Sequence, residues 1–228
     1  MSARARWAEA RLRYSFKDPA LLELALTHRS ASKNNNERLE YLGDSFLSFA
    51  IARRLYELRP EDTEGDLSRA RAALVKESSL AAIGQNLGID AELTLGAGEL
   101  RSGGAQRGAV LADAVEAVIG AVLLDGGTVA AEALIDLLFS EQLGALPDAA
   151  TLKDAKTRLQ EWLQGRGMHL PSYAVESVHG RDHEQTFIVS CEVTEKNVHT
   201  TGQGPSRRRA EQEAAAAMLA VLTGERDA

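Results

Sequence analysis

Glu37-Arg-Leu-Glu-Tyr-Leu-Gly-Asp44, continued by Ser-Phe-Leu-Ser-Phe-Ala-Ile51, is the stretch on which the reading of this chain turns. If residues 37 to 53 are helical, Leu39, Leu42, Phe46, Leu47, Ala50 and Ile51 recur at the three-and-four spacing of a buried face. The carboxylates keep a spacing of their own. Glu37, Glu40 and Asp44 lie three and four residues apart, on one side of the same helix and within reach of a common point. Like charges at that spacing repel, so a stable helix that gathers them needs a cation, either a basic side chain such as Arg38 or a bound divalent metal. Taken alone, such a helix is more simply an amphipathic one with a solvated acidic face.

A second stretch changes that balance. Residues 109 to 124 are apolar all round except for Asp113 and Glu116, again three apart on one face. So apolar a helix belongs at the centre of a domain, where an unpaired carboxylate costs several kcal/mol or takes up a proton. Two pairs of inward-facing acids from separate helices, with no surplus of nearby lysine, make the ligand set of a hard cation such as Mg2+ or Mn2+.

Composition bounds what such a site can serve. At 228 residues, 44% hydrophobic and 26% charged, the chain is ordinary globular material for one large domain or two smaller ones. The single Cys191 excludes an intramolecular disulfide, suits a reducing compartment and reads as a small apolar strand residue. No apolar run follows the basic residues of Met1 to Ala10, and the segment interrupted by Asp113 and Glu116 is too short and too charged to span a bilayer. A cytoplasmic protein without a membrane anchor is expected. The net charge of −7 argues against a nucleic-acid partner. That objection weakens when the chain is divided after residue 152: 16 basic residues stand against 22 acidic in the first part, and 10 against 11 in the second. A local patch such as Arg207-Arg-Arg209 can bind phosphates where total charge would not.

In chain order, helices are expected at Ala3 to Tyr14, from Asp18-Pro19 onward with Asp18 as cap, and from Leu67 to about Leu87 with Asp66 as cap. Gly96 to Gly104 reads as a glycine-rich loop; it lacks a Gly-Lys-Ser/Thr ending and follows no strand, so it is not a nucleotide cradle. Helices at Ala109 to Leu124 and Val129 to Leu143 complete an all-α part, 1–143, and 144–152 reads as a linker. Beyond it, 153–224 follows an α-β-β-β-α order: a helix through Leu159 and Leu163, strands at Ser172 to Val178, Thr186 to Val193 and Asn197 to Gln203, and a helix from Ser206 to Leu222. Glycines, a capping Ser206 and Arg207 to Arg209 meet at the mouth of that last helix, a phosphate-binding arrangement.

These motifs together resemble bacterial ribonuclease III. The resemblance rests on Asn36 to Ser45, Glu64-Gly-Asp-Leu-Ser-Arg69, Gly98 to Gly104 and Leu111 to Gly120, and in the second part on Asp154 to Glu161, Leu170 to Tyr173, Gly180 to Phe187 and Gly202 to Glu211. It implies an α+β multidomain protein: an all-α endonuclease domain that dimerises with a second copy, then a small double-stranded-RNA-binding domain. It implies cleavage of RNA duplexes to 5′-phosphates and 3′-hydroxyls with short 3′ overhangs, in processing of precursor ribosomal RNA and of some messenger and transfer RNA precursors. Glu40, Asp44, Asp113 and Glu116 match the family's metal-binding acids, with Asp44 and Glu116 the most directly catalytic, Mg2+ as the cofactor and Mn2+ as a substitute. Glu37 and Glu64 match acids around the cut, and Gln160, Gln164, His183, Arg207 and Arg208 match the RNA contacts. Tyr41 stands where the family commonly has Phe at the dimer contact, and Ala155 replaces a frequent Pro, which is expected to loosen the linker. A non-catalytic RNA-binding protein would be favoured by loss of any of the four acids, and none is lost. A small-molecule phosphohydrolase would leave residues 151 to 222 without a purpose.

Overall fold

The computed structural model of the protein describes residues 2–146, 153–181 and 184–224. Two compact units, Met1–Pro147 and Asp148–Ala228, each enclose a core. Of the expected linker, 144–146 close a helix, and 147–152 lie outside the described residues.

The first unit is helical: α1 (Ala3–Leu12), α2 (Pro19–Ala25), α3 (Glu37–Leu58), α4 (Glu64–Val75), α5 (Glu77–Leu87), α6 (Ile89–Glu92), α7 (Ala97–Arg101) and α8 (Gly108–Gly144). Asp18 caps α2 as expected, its carboxylate accepting from the Ala20 N–H at 3.0 Å. The single helix expected from Leu67 to Leu87 is instead α4 and α5, broken at Lys76, whose backbone is extended (φ −65°, ψ 152°). The apolar spacing runs on across the break. What ends α4 is polar: the Ser79 hydroxyl takes the Ala73 carbonyl at 2.9 Å, offering the backbone an alternative to the helical ladder. Nor is Asp66 the cap. Thr63 is: its hydroxyl accepts from the Asp66 N–H and donates to the Asp66 carboxylate at 2.6 Å, and Asp66 lies buried in the first turn, paired with Arg69 at 2.7 Å. The glycine-rich segment contains α7 and a 3-10 turn, Gly104–Gln106, with Arg107 bonded to Glu99 at 2.7 Å and to Ser102.

The two helices expected at 109–143 run into one another as α8, with a break at Gly127 (φ 76°, ψ −175°). Only glycine adopts that backbone without strain. Asp125, just before it, accepts from the Tyr14 hydroxyl at 2.6 Å and from the N–H groups of Lys17 and Asp18, which ties the α1–α2 connection to the kink. By length and composition α8 could cross a membrane, contrary to the expectation that this segment is too short. Its packing is that of a core helix: Leu111, Ala114, Val115, Ala117, Val118 and Ile119 are fully buried, and it lies against α3, α5 and α2.

The second unit has the expected α-β-β-β-α order. A helix at Ala155–Gln164, capped by Asp154, precedes an antiparallel sheet of β1 (Ser172–His179), β2 (Thr186–Val193) and β3 (Val198–Gly204), and a last helix spans Arg207–Thr223. Register is set by pairs such as Tyr173 with Cys191 and Ser190 with Thr201, with a bulge between Val175 and Ser177. Alternate residues of β2 point inward, so Cys191 and Val193 join Leu159, Leu163, Ala214, Ala215, Met218 and Leu219 in one core. Cys191 is the buried, unbridged residue that its strand position predicts.

Candidate metal centre and duplex-binding surface

The acids meet because two glycines let two helices touch. Gly43 on α3 and Gly120 on α8 face one another: a Cβ on Gly43 would lie 1.8 Å from the Glu116 carbonyl oxygen, and one on Gly120 would lie 2.2 Å from that of Leu39. With backbones this close, side chains one and two turns before the glycines converge. Glu40 from α3 and Asp113 and Glu116 from α8 each bring a carboxylate oxygen within 4.8 Å of the others, the one such group among the described residues. Asp44 follows Glu40 by one turn and is exposed beside this cluster. Glu37 is exposed in the first turn of α3, and Glu64, on α4, accepts from Ser68 and lines a separate cleft of about 450 Å3 with Tyr56 and Leu67.

Burial and mutual repulsion dominate the electrostatics. Desolvation, then the charges of Asp44, Asp113 and Glu40, push the Glu116 carboxyl up to about 8. Glu40 is raised by burial, then by Asp113, Glu37 and Asp44, against Arg29; Asp113 is raised by burial, against His28 and Arg29. The base opposing the rise at Glu40 is Arg29, reaching Glu37 at 3.6 Å; Arg38 is not among the charges that act on Glu40, Asp113 or Glu116. Arg29 is itself 70% exposed, and a solvated cation offsets little of a half-buried negative cluster. Three crowded carboxylate oxygens with so little basic compensation fit a hard divalent cation, which takes oxygen ligands and restores the ionised form of each acid. Sequence reasoning missed three participants. Gly43 and Gly120 were legible only as glycines inside helical patterns, and Arg29 arrives from a loop held to Thr94 by a bridge at Thr27.

In the second unit, Gln160 is half-buried and Gln164 exposed, one turn apart on the first helix. The last helix starts at Arg207, capped by Ser206, whose hydroxyl accepts from the Arg209 N–H at 3.3 Å. Arg207, Arg208 and Arg209 are all exposed, and Arg208 and Arg209 line a cleft with Asp154 and Ser206. His183 lies outside the described residues.

Residues 18–143 match the family model described as Ribonuclease-III-like, more than half of the chain, and residues 155–222 match the double-stranded RNA binding motif. The chain belongs to the ribonuclease III family. Among ribonuclease III relatives it is 52% identical over 219 residues to Ribonuclease 3 of Nitrosococcus oceani, covering 95% of this chain and 94% of the relative. To Ribonuclease 3 of Delftia acidovorans it is 53% identical over 215 residues, covering 94% of each. Among solved structures it is similar to the nuclease domain of ribonuclease III from Campylobacter jejuni, with TM-score 0.58 and 39% identity over 61% of this chain and 97% of that one. A second structure of that domain, concerned with flexibility in a region involved in dimer formation, gives TM-score 0.57 and 41% identity over 59% and 95%. The ribonuclease III chain is thus an α+β protein with a helical nuclease domain and a double-stranded-RNA-binding domain. Its acidic cluster suits the divalent-metal chemistry of its family.

One consequence is thermodynamic. Without metal, Glu116 stays protonated in the fold until about pH 8, whereas in the unfolded chain it ionises near its ordinary value of 4.5. Between those values the folded state binds more protons, so stability falls as pH rises and levels off above about 8. After discounting for solvent, the loss is on the order of 2 kcal/mol. Thermal melts of chelator-treated protein from pH 5 to 8.5 are expected to show this decline, and saturating Mn2+ to reverse it. A flat profile would mean that the three acids are not crowded as described.

Proposed function

We propose that this endoribonuclease of the ribonuclease III family cuts double-stranded RNA with Mg2+ held by Glu40, Asp44, Asp113 and Glu116, Mn2+ serving as a substitute. The observation that carries the reading is the convergence of Glu40, Asp113 and Glu116 across the α3–α8 crossing, in a chain that also bears a duplex-binding domain. An ion held by these acids would supply polarisation of the scissile phosphate and a lowered pKa for the attacking water. The side chains would do the rest. Glu40 and Asp113 would supply oxygens from opposite helices and Glu116 a third, its proton released to solvent; Asp44, exposed beside them, would orient the attacking water and accept its proton. Glu37 and Glu64 border the cut. The products carry 5′-phosphates and 3′-hydroxyls with short 3′ overhangs.

Gln160, Gln164, His183, Arg207 and Arg208 contact the duplex. A-form RNA hides its base edges, so such a domain reads shape, 2′-hydroxyls and phosphates, which suits precursor ribosomal RNA and structured messenger and transfer RNA precursors in the cytoplasm. The enzyme acts as a homodimer through the outer face of α3, where Tyr41, Phe49 and Tyr56 are 76%, 59% and 73% exposed and fall on one stripe of the helix. Two centres then serve the two strands.

The test is cleavage of a long labelled duplex with Mg2+, Mn2+, Ca2+ or EDTA. Cutting with Mg2+ and Mn2+ only is expected. Duplex binding without cutting in both would leave a non-catalytic RNA-binding dimer as the better account.

A further inference from the structure

In the duplex-binding domain one nearly buried carboxylate holds two cations. Glu211 is 13% exposed; one oxygen accepts from Lys156 Nζ at 2.6 Å and the other from Arg207 Nε at 2.8 Å. Lys156 lies over the Tyr173 ring, 4.2 Å from its centroid, and its backbone N–H donates to Gln212 at 3.2 Å. The second turn of the last helix is thereby stitched to the first turn of the first helix.

On a surface that meets phosphates an acid is out of place, because it repels the RNA backbone and lowers the count of net positive contacts. Its burial and its two partners give it another use. Arg207 is 64% exposed, its Nε is taken by Glu211, and none of the described bonds uses Nη1 or Nη2. The guanidinium is held by one edge with its two amino groups left for a phosphate. Gln160 follows Lys156 by one turn of the same helix, so the bridge also sets the distance between the first-helix contacts and Arg207.

We propose that Glu211 is a positioning residue for duplex binding: it fixes the Arg207 guanidinium and, through Lys156, the spacing between the two helix-borne contact regions. The proposal rests on the reading that Arg207 meets a phosphate. It also reverses the sign that charge alone predicts. Removing a negative charge from an RNA-binding face should tighten binding, whereas losing the clamp should weaken it.

The experiment measures binding of the full-length protein to an uncut RNA duplex in EDTA over a range of salt, for wild type, Glu211→Gln, Arg207→Ala and the double variant. Glu211→Gln is expected to bind about fivefold more weakly, Arg207→Ala about tenfold, and the double variant within about twofold of Arg207→Ala, since both act through one contact. Arg207→Ala should also lower the salt slope by roughly 0.9. If Arg207→Ala weakens binding while Glu211→Gln leaves it unchanged or tighter, Glu211 has no positioning role. Additive losses would place its effect elsewhere in the fold and equally overturn the proposal. An Arg207→Ala protein that binds like wild type would show instead that the phosphate contact is misassigned, and the proposal would fall with it.

Discussion

Glu116→Gln is expected to abolish cleavage while leaving duplex binding and folding intact. Glutamine keeps the size and shape of the side chain but cannot supply an anionic oxygen. A metal ion at such a site is worth several kcal/mol of transition-state stabilisation, so weakening its hold should lower kcat by at least about 10³-fold. Binding of uncut duplex in EDTA should stay within about twofold of wild type, because the duplex contacts proposed on the second domain are untouched. The same substitution should stabilise the metal-free protein above neutral pH. Wild-type Glu116 ionises there only against its burial and against Asp44, Asp113 and Glu40, and the amide never has to ionise. The decline in stability from pH 5 to 8 should therefore shrink in the variant. Lost activity with gained stability would mark the acid as kept for chemistry at the expense of the fold. Cleavage within tenfold of wild type would remove Glu116 from the metal set.

That Glu40 lies on one helix face and Asp113 and Glu116 on another could be read in advance because helical spacing is local, but the same spacing put Glu37 and Asp44 within reach of a common point, and both are exposed outside the cluster. The α-β-β-β-α order was legible for a similar reason, since the change from helical spacing to β-branched alternation needs no partner to be seen. What escaped depends on distant atoms. Arg38 lies next to Glu37 in sequence but about 100° round the helix from it, while Arg29 reaches Glu37 from outside α3. The break at Lys76 is invisible to apolar spacing because Leu74 and Leu80 are buried on either side of it. The Thr63 cap carried a readable signature, a threonine three residues before an acid, and the choice of Asp66 as cap overlooked it. The crossing glycines are the extreme case, for nothing near Gly43 in sequence says which backbone it must admit.

Gly43→Ala should therefore do what the same change in an open helix does not. In a helix interior facing solvent, alanine in place of glycine gains roughly 0.5–1 kcal/mol. At position 43 the new methyl would lie 1.8 Å from the Glu116 carbonyl oxygen, 2.6 Å from its carbon and 3.0 Å from the Gly120 nitrogen. All three are backbone atoms, so no side chain can turn aside and one helix must move. The cost should be about 3 kcal/mol or more, a fall in Tm of about 10 °C. The displacement separates Glu40 from Asp113 and Glu116, and a misplacement on the order of 1 Å can cost about 10²-fold in rate, so cleavage should drop by at least that factor. Weaker Mn2+ binding should accompany it, which loss of stability alone would not produce in protein that is still folded. Gly98→Ala is the control: nothing lies within 4 Å of a Cβ there, and its Tm and activity should stay near wild type. A Gly43→Ala protein as stable and active as that control would show that α3 and α8 do not cross at these glycines, and would remove the physical reason for the acids to meet.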